Sequence, residues 1–195
     1  MKNQYLRRFA TLAIAFSVVS TTALLGTAQS WASGAHGGGH ESDKKASMGT
    51  PGKAKDVSRT IEIKMFDNYY EPENISVSAG ETVRFVVKNV GELVHEFNIG
   101  TSAMHSAHQE EMVMMMEHGA LEADKINHKM MKMDMGGGKT MEHKDPNSVL
   151  LEPGKSGEVI WKFAKESSLE FACNVPGHYD AGMMGNVRFS DKHSS

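Results

Sequence analysis

Apolar and polar residues alternate in two stretches of the chain, 57–100 and 148–190. Val83, Phe85 and Val87 fall on one face of a predicted strand and the residues between them on the other, which is typical of a half-buried antiparallel strand. Further strand signals occur in TIEIKMFD, in ISVSAGETVRFVVKNVG, in HEFNIG, in SVLLEPGKSGEVIWKF around a turn, in SLEFAC and in GNVRFS. About 88 residues of short strands with turn signals predict an all-β sandwich or barrel.

The segment between these two stretches, residues 101–147, breaks the alternation. It contains ten methionines and five histidines in 47 residues. Its middle, from Gln109 to Met133, predicts one or two helices with a weak point at Gly119, and three successive glycines from Gly136 end any helix. We therefore expect a large, partly helical insertion into the β domain.

The N-terminus has the features of a secretory signal peptide. Three basic residues precede an apolar stretch, and SWAS places Ser30 and Ala32 at the −3 and −1 positions of a cleavage site. The alternative is an uncleaved anchor, and no other apolar run is long enough to cross a bilayer. We predict that residues 1–32 are removed, and we expect the mature protein in the bacterial periplasm without a lasting membrane span.

The mature chain is expected to be one domain with a tail. Residues 33–56 are rich in Gly and Ser, contain His36 and His40, and predict a flexible tail. Residues 57–195, which include the insertion, then form the single folded domain, and we expect a monomer.

Formal charge narrows the range of partners. The chain carries −3 at pH 7, and cleavage after Ala32 removes three basic residues and no acidic residue, which changes the charge to −6. A nucleic-acid-binding protein needs a basic face, so this class of function is excluded.

The chain has one cysteine, Cys173, in FACNVPGHYDAGMMGNVRF. A single cysteine cannot form an internal disulfide, and outside the cytoplasm a free thiol is a liability unless it is buried or bound to a metal. His178 follows five residues later and Met183 five after that, between two predicted strands. The loop therefore offers a thiolate, an imidazole and a thioether. The alternative is an inert buried thiol.

These side chains form a soft, mixed set of donors. Mg²⁺ and Ca²⁺ prefer carboxylate oxygens, and structural zinc more often recruits Cys and His in pairs. Two histidines and one cysteine with a distant methionine are the ligands of blue-copper sites, and the loop lacks the second histidine. His95 in GELVHEFNIG, at the start of a predicted strand after Gly91, is the candidate.

The same residues give the chain a resemblance to the cupredoxin family. CNVPGHYDAGM resembles the Cys-x4-His-x4-Met ligand loop of rusticyanin-like members, VHEFNIG resembles the upstream ligand strand, and YEPENISVSAGETVRFVVKN is similar to the N-terminal strands. The resemblance covers residues 60–100 and 148–190, and it extends to CopI-like periplasmic copper-tolerance cupredoxins, which pair this loop with Met/His-rich segments. It implies an all-β, Greek-key β-sandwich that carries the Met/His-rich, partly helical insertion.

The resemblance implies a type 1 copper site made by four side chains. Cys173 supplies a thiolate, His95 and His178 supply imidazole nitrogens, and Met183 supplies a weak axial sulfur for a copper ion, Cu(I) or Cu(II). The spacing favours Met183, with Met184 as the alternative. In a strand the two side chains would point to opposite faces, so only one of them could face the site.

Two further residues bear on the implied site. Val175 can donate its backbone N–H to the sulfur, and such bonds tune a metal site. Many cupredoxins have Asn after the first histidine ligand, where this chain has Glu96. A carboxylate at that position is expected to lower the reduction potential or to change the tie between the ligand loops.

The methionines of the insertion predict additional copper binding. Thioethers suit Cu(I) and imidazoles suit Cu(II), and the segment holds the clusters MVMMM and MKMDM. On a helix, one face would be shared by His108, Met112, Met115 and Met116. The alternative is an adaptable apolar lid, because methionine fills irregular gaps.

Two functions agree with these patterns. The first is copper tolerance or homeostasis by binding, sequestering or transferring copper, with a periplasmic copper-handling or redox protein as a possible partner. The second is a small blue-copper electron carrier between periplasmic redox enzymes. The insertion favours the first, because an electron carrier needs no additional soft ligands. An enzyme is not expected, because the sequence has no second Cys–His loop, no His-x-His pair and no second domain.

Overall fold

The structure, a computed structural model, describes residues 48–134, 140–142, 145–165 and 167–190, and strands are the main regular element in these ranges. The strands are β1 (Thr50–Pro51), β2 (Arg59–Met65), β3 (Tyr70–Glu71), β4 (Asn74–Val77), β5 (Thr82–Asn89), β6 (His95–Gly100), β7 (Lys132–Asp134), β8 (Thr140–Glu142), β9 (Ser148–Leu151), β10 (Ser156–Lys162), β11 (Leu169–Ala172) and β12 (Met184–Phe189). One α-helix, α1 (Ser102–Glu117), and one short 3-10 helix, Ala54–Asp56, interrupt them. The predicted signal peptide, the tail residues His36 and His40, the glycines from Gly136 and residue His143 lie outside the described residues.

Ten of these strands form two five-stranded sheets. The strand orders are β1-β10-β5-β2-β3 and β4-β12-β11-β6-β9, while β7 and β8 form a separate pair. The all-β fold class with a partly helical insertion is therefore confirmed. Strand β5 pairs antiparallel with β10, as its pattern predicts, but it pairs in parallel with β2 on its other edge.

Aromatic side chains join the inner faces of the two sheets. The alternating residues Val83, Phe85 and Val87 of β5 are fully buried. The ring of Phe85 lies 5.3 Å from that of Phe97 in β6, which in turn lies 5.4 Å from Phe171 in β11. Burying such a side chain contributes about 1.5–3 kcal/mol, so these contacts hold the sheets together.

Helix α1 has well-defined ends that differ from the predicted ones. It begins at Ser102 rather than near Gln109, because the Thr101 hydroxyl accepts a hydrogen bond from the Met104 N–H at 3.3 Å and caps the first turn. It ends where Gly119 adopts a φ of +73°. The Ala120 N–H then bonds to the Met115 carbonyl at 2.9 Å, which is the closing bond of a Schellman motif.

The predicted continuation of the helix beyond Gly119 is wrong. The chain instead forms an isolated bridge between Leu121 and Ile126 and then the strand pair β7 and β8. Leu121 is buried, and the Val94 N–H donates to the Ala123 carbonyl at 2.7 Å. The insertion therefore packs against the strand that begins at His95, and apolar contacts determine its course after the helix ends.

Part of the predicted tail also contacts the sandwich. The Met48 side chain is buried, and its carbonyl accepts a hydrogen bond from the Trp161 indole N–H at 3.2 Å. Strand β1 pairs antiparallel with β10, the strand that contains Trp161. Residues 48–51 are therefore fixed to the first sheet.

Tyr70 connects the core to the beginning of β6. Its ring is buried between Phe97 and Phe171, in edge-to-face contact with both. Its hydroxyl donates a hydrogen bond of 2.6 Å to the Glu96 carbonyl. A buried carbonyl that loses its donor destabilises the folded state by about 1–3 kcal/mol.

We therefore predict that Tyr70→Phe lowers the free energy of unfolding by about 1–3 kcal/mol. Urea denaturation of the metal-free protein measures this change, and the slope with denaturant should stay constant. Tyr69→Phe is the matched control, because Tyr69 is 46% exposed. Equal stability of the Tyr70 variant and the unaltered protein would contradict the assigned hydrogen bond.

Candidate metal centre

Three of the four predicted ligand side chains meet at one end of the second sheet, where strand β6 begins and strand β11 ends. His95 is the first residue of β6, and Cys173 follows the last residue of β11. Because β6 and β11 are antiparallel neighbours, the beginning of one lies beside the end of the other. His178 reaches the same place from the loop that follows Cys173.

The three donor atoms form a small triangle. The Nδ1 atoms of His95 and His178 are 3.2 Å apart, and the Cys173 Sγ lies 3.4 Å from His178 Nδ1 and 3.9 Å from His95 Nδ1. A point equidistant from all three lies about 2.0 Å from each, close to ordinary metal–nitrogen and metal–sulfur distances of roughly 2.0–2.3 Å. Among the described residues, no other group of three His, Cys, Asp or Glu side chains is arranged to hold a metal ion.

Asn89, at the end of β5, shapes the turn that leads to His95. Its buried side-chain amide donates to the carbonyls of Leu93 and Leu151 at 2.7 and 2.9 Å. Its oxygen accepts a hydrogen bond from the Gly91 N–H at 3.0 Å. The turn before β6 is therefore held by one side chain that uses both its donor and its acceptor groups.

Asp67 fixes the tautomer of His95. Its Oδ1 lies 3.0 Å from His95 Nε2 and also accepts from the Glu92 N–H at 2.8 Å. The hydrogen bond from His95 lowers the pKa of Asp67, so the carboxylate is ionised and can only accept. The proton of the neutral imidazole must then be on Nε2, which leaves the lone pair of Nδ1 directed into the triangle.

Gly91 allows Asp67 to approach His95 this closely. A β-carbon at position 91 would overlap Asp67 Oδ1 and lie 3.0 Å from His95 Nε2. Only glycine therefore fits beside this hydrogen bond without a shift of one of its partners.

The Cys173 sulfur is fully buried and accepts two backbone hydrogen bonds. The Glu96 N–H lies 3.3 Å from Sγ, and the Val175 N–H, which the sequence indicates as a donor, also stabilises the charged sulfur. Burial nevertheless dominates and raises the pKa of the thiol to about 12. The sulfur therefore remains a thiol at neutral pH unless a cation replaces its proton.

The loop from Cys173 to Met183 is closed by its own backbone. The Cys173 N–H donates to the Met183 carbonyl at 3.1 Å, and the Met183 N–H donates to the His178 carbonyl at 3.0 Å. Gly177 and Gly182 take φ values of +85° and +95°, which other residues adopt only with strain. These turns present His178 toward Cys173.

His178 is neutral in the metal-free protein. Its ring is partly buried, and desolvation, followed by the neighbouring His95, lowers its pKa to about 4. Desolvation also lowers the pKa of His95, against the opposing effect of Asp67. Both imidazoles therefore offer an unprotonated nitrogen at neutral pH.

The structure distinguishes the two candidate methionines by burial. The Met183 side chain is fully buried and belongs to the core, whereas Met184 is partly exposed and begins β12. Met183 is also the residue that backbone hydrogen bonds join to both Cys173 and His178, which supports it as the fourth candidate ligand.

Together these donors fit a soft or borderline cation. The triangle comprises one thiol and two neutral imidazoles and contains no carboxylate, and the nearby loop residue Met183 has a buried thioether side chain. Hard cations such as Mg²⁺ and Ca²⁺ need oxygen ligands, while copper accepts sulfur and imidazole together.

Glu96 faces away from the triangle, toward helix α1. Its side chain is fully buried, and its Oε1 lies 3.1 Å from His108 Nε2. Its Oε2 accepts from the Asn174 amide at 2.8 Å. The Glu96 carboxylate thus connects the strand that begins at His95 to the residue after Cys173 and to helix α1.

Two methionines of the predicted metal-binding helix face belong instead to the hydrophobic core. Met112 and Met115 are 0% and 2% exposed. Met116 and Met130 are exposed, and the side chains of Met133 and Met141 are outside the description. The apolar alternative therefore applies to the inward methionines.

Comparison with known proteins identifies the family. A family model described as a cupredoxin-like domain matches residues 43–128. The copper-resistant cuproprotein CopI of Pseudomonas aeruginosa is 50% identical over 146 residues, which cover 72% of this chain and 81% of that protein. This chain belongs to the CopI family of cupredoxin-like proteins. The resemblance to CopI-like cupredoxins is therefore confirmed.

Another CopI family member extends the similarity over nearly the whole chain. The copper-resistant cuproprotein CopI of Rubrivivax gelatinosus is 39% identical over 188 residues, 96% of this chain and 98% of that protein. A solved structure of auracyanin B has a TM-score of 0.51 and 19% identity, and it covers 74% of this chain and 97% of that one. The latter likeness concerns the fold alone.

The described part of the chain contains no helix with the length and apolarity that a membrane span requires.

The sequence does not reveal the residues that orient the predicted ligands. Asp67 lies in a turn 28 positions before His95, and no motif connects the two. The sequence predicts Gly91 only as a turn residue, and His108 only as a member of the helix face that it shares with methionines. Their roles depend on contacts between segments that are distant in the sequence.

We predict that Asp67→Ala removes the fixed tautomer of His95 in the metal-free protein. Nitrogen-15 NMR of labelled histidine should show the His95 proton on Nε2 in the unaltered protein and a mixture of tautomers in the variant. Because such supporting residues orient metal ligands, metal affinity should fall on the order of 10–100-fold. Glu92→Ala is the control, since the exposed Glu92 side chain makes no contact with His95 in the structure. An unchanged tautomer in Asp67→Ala would refute the assigned role.

Proposed function

We propose that this protein binds copper through His95, Cys173, His178 and Met183 and acts in periplasmic copper tolerance, by binding, sequestering or transferring the ion. The observation that carries the proposal is the convergence of two imidazole nitrogens and a buried sulfur within 3.9 Å of one another. The relatives named copper-resistant cuproproteins support copper as the ion and tolerance as the role.

Three of the proposed ligands would bind through the atoms that form the donor triangle. His95 and His178 would use Nδ1, and Cys173 would use Sγ. Met183, buried beside the closed loop, would add a weak thioether contact. The bound copper would supply a one-electron Cu(I)/Cu(II) couple.

The protein would control the proton and solvent at this site. The thiol must lose its proton to become a ligand, so copper loading would release it from Cys173. The Glu96 and Val175 N–H groups would stabilise the sulfur charge, and Asp67 would keep the His95 proton on Nε2. Burial of Cys173 would keep solvent and oxidants from the sulfur.

Binding rather than catalysis is the proposed activity. The names of the CopI relatives describe cuproproteins, and the site lies at the end of a rigid sheet. We also propose a monomer in the periplasm, exported by the predicted signal peptide, with copper ions as the primary partner.

A bond between copper and the Cys173 sulfur would give the protein a visible absorption band. Adding Cu(II) to the metal-free protein should produce an intense thiolate-to-copper absorption band that saturates at one equivalent for this site. Cys173→Ser should abolish the band, because Cys173 is the only cysteine in the chain. His128→Gln, which changes an exposed histidine outside the cluster, should retain it. A band that survives in Cys173→Ser would contradict the proposed site.

A role in copper tolerance would be visible in the growth of cells exposed to copper. A bacterial strain that lacks this protein should stop growing at a lower copper concentration than the parent strain. The unaltered gene should restore growth, and the Cys173→Ser form should not. Normal copper resistance in the deletion strain, together with impaired periplasmic electron transfer, would favour an electron carrier and contradict a role in tolerance.

A further inference from the structure

A buried ion pair lies immediately behind the candidate metal centre. The Glu96 side chain is 0% exposed, and His108 of helix α1 is 11% exposed. His108 Nε2 lies 3.1 Å from Glu96 Oε1, and His108 Nδ1 lies 3.0 Å from Glu111 Oε2. Each ring nitrogen of His108 therefore lies within hydrogen-bond distance of a carboxylate oxygen, an arrangement that favours the imidazolium, in which both nitrogens donate.

The electrostatics agree with this geometry. Desolvation alone would lower the pKa of His108, but the hydrogen bond and charge of Glu96, followed by those of Glu111, raise it to about 9. A buried carboxylate is costly unless it has a cationic partner and further hydrogen bonds. Glu96 has both, since the amides of Asn98 and Asn174 also donate to it, at 3.3 and 2.8 Å.

Glu96 is connected to both segments that carry the candidate ligands. It follows His95 directly, and its own N–H donates to the Cys173 sulfur at 3.3 Å. Its carboxylate holds the side chain of Asn174, the residue after Cys173. A change in the position of this carboxylate therefore affects the Glu96 N–H that donates to the sulfur and the position of Asn174, which follows Cys173.

We propose that His108 is a positioning residue of the metal centre, which holds the Glu96 carboxylate in place and offsets its negative charge beside the Cys173 sulfur. Helix α1 thereby becomes part of the centre although none of its residues lies in the donor triangle. This inference rests on the proposed copper site for its electrochemical consequence but not for its structural one.

The structural consequence can be measured without metal. Truncating one member of a buried ion pair is strongly destabilising, so His108→Gln should loosen the contact between α1 and the strand that begins at His95. The alkylation rate of Cys173 by iodoacetamide in the metal-free protein should then rise on the order of tenfold or more. His118→Gln is the matched control, because exposed His118 at the end of the same helix bonds only to the Met114 carbonyl. Its alkylation rate should equal that of the unaltered protein.

The electrochemical consequence separates charge from packing. A negative charge near copper stabilises Cu(II) relative to Cu(I), so the two members of the pair should act in opposite directions. We expect His108→Gln to lower the reduction potential and Glu96→Gln to raise it. The reduction potential of the double variant should return toward that of the unaltered protein. His108→Lys keeps the positive charge, so its potential should also lie close to the unaltered value.

The two experiments distinguish the possible failures. Shifts of the same sign in both single variants, or no shift in His108→Gln, would overturn the role in offsetting charge. An alkylation rate in His108→Gln equal to that of His118→Gln would overturn the positioning role. If the unaltered protein formed no copper–thiolate band, the proposed function would fail, while the alkylation experiment would still decide the structural role of His108.

Discussion

The burial of the Cys173 sulfur is the constraint on which the site depends. A thiol so removed from water has a pKa near 12, and it becomes a thiolate only when a cation and hydrogen-bond donors replace the lost solvation. Two neutral imidazoles and two backbone N–H groups are directed at or beside this sulfur. The pairing of β6 with β11 brings these groups together, because antiparallel neighbours place the start of one strand beside the end of the other.

Support for the donors comes from successive, separate contacts. Asn89 shapes the turn before His95, Asp67 sets its tautomer, and Gly91 leaves room for their hydrogen bond. On the other side, Glu96 joins the ligand segments to helix α1 through His108. The candidate ligands are in this way held in one arrangement in the metal-free protein, which would limit the reorganisation that metal binding requires.

The strands and the ligand loop could be predicted because their signals are local. Alternation of period two marks β5 and β6, and Cys173, His178 and Met183 stand close together in the sequence. The helix boundaries were less accessible, since the start depends on the Thr101 cap and the apolar residues after Gly119 can form either a helix or an irregular packed segment. Asp67 and His108 could not be identified, because only the folded chain brings them to His95 and Glu96. Methionine is ambiguous by nature: the same thioether suits a metal or a core, and burial assigns Met112 and Met115 to the core.

The double attachment of helix α1 has a consequence for protein engineering. Its inner methionines are buried members of the hydrophobic core, and one of its histidines is joined to a buried carboxylate beside the proposed ligands. The Met/His-rich segment therefore cannot be removed or moved to another protein as an independent unit. Excising it would uncover core residues and leave the buried Glu96 carboxylate without its cationic partner, and grafting it onto another scaffold would leave its buried methionines without the surface against which they pack. Substitutions of its exposed methionines, such as Met116 and Met130, can instead be made without removing core contacts.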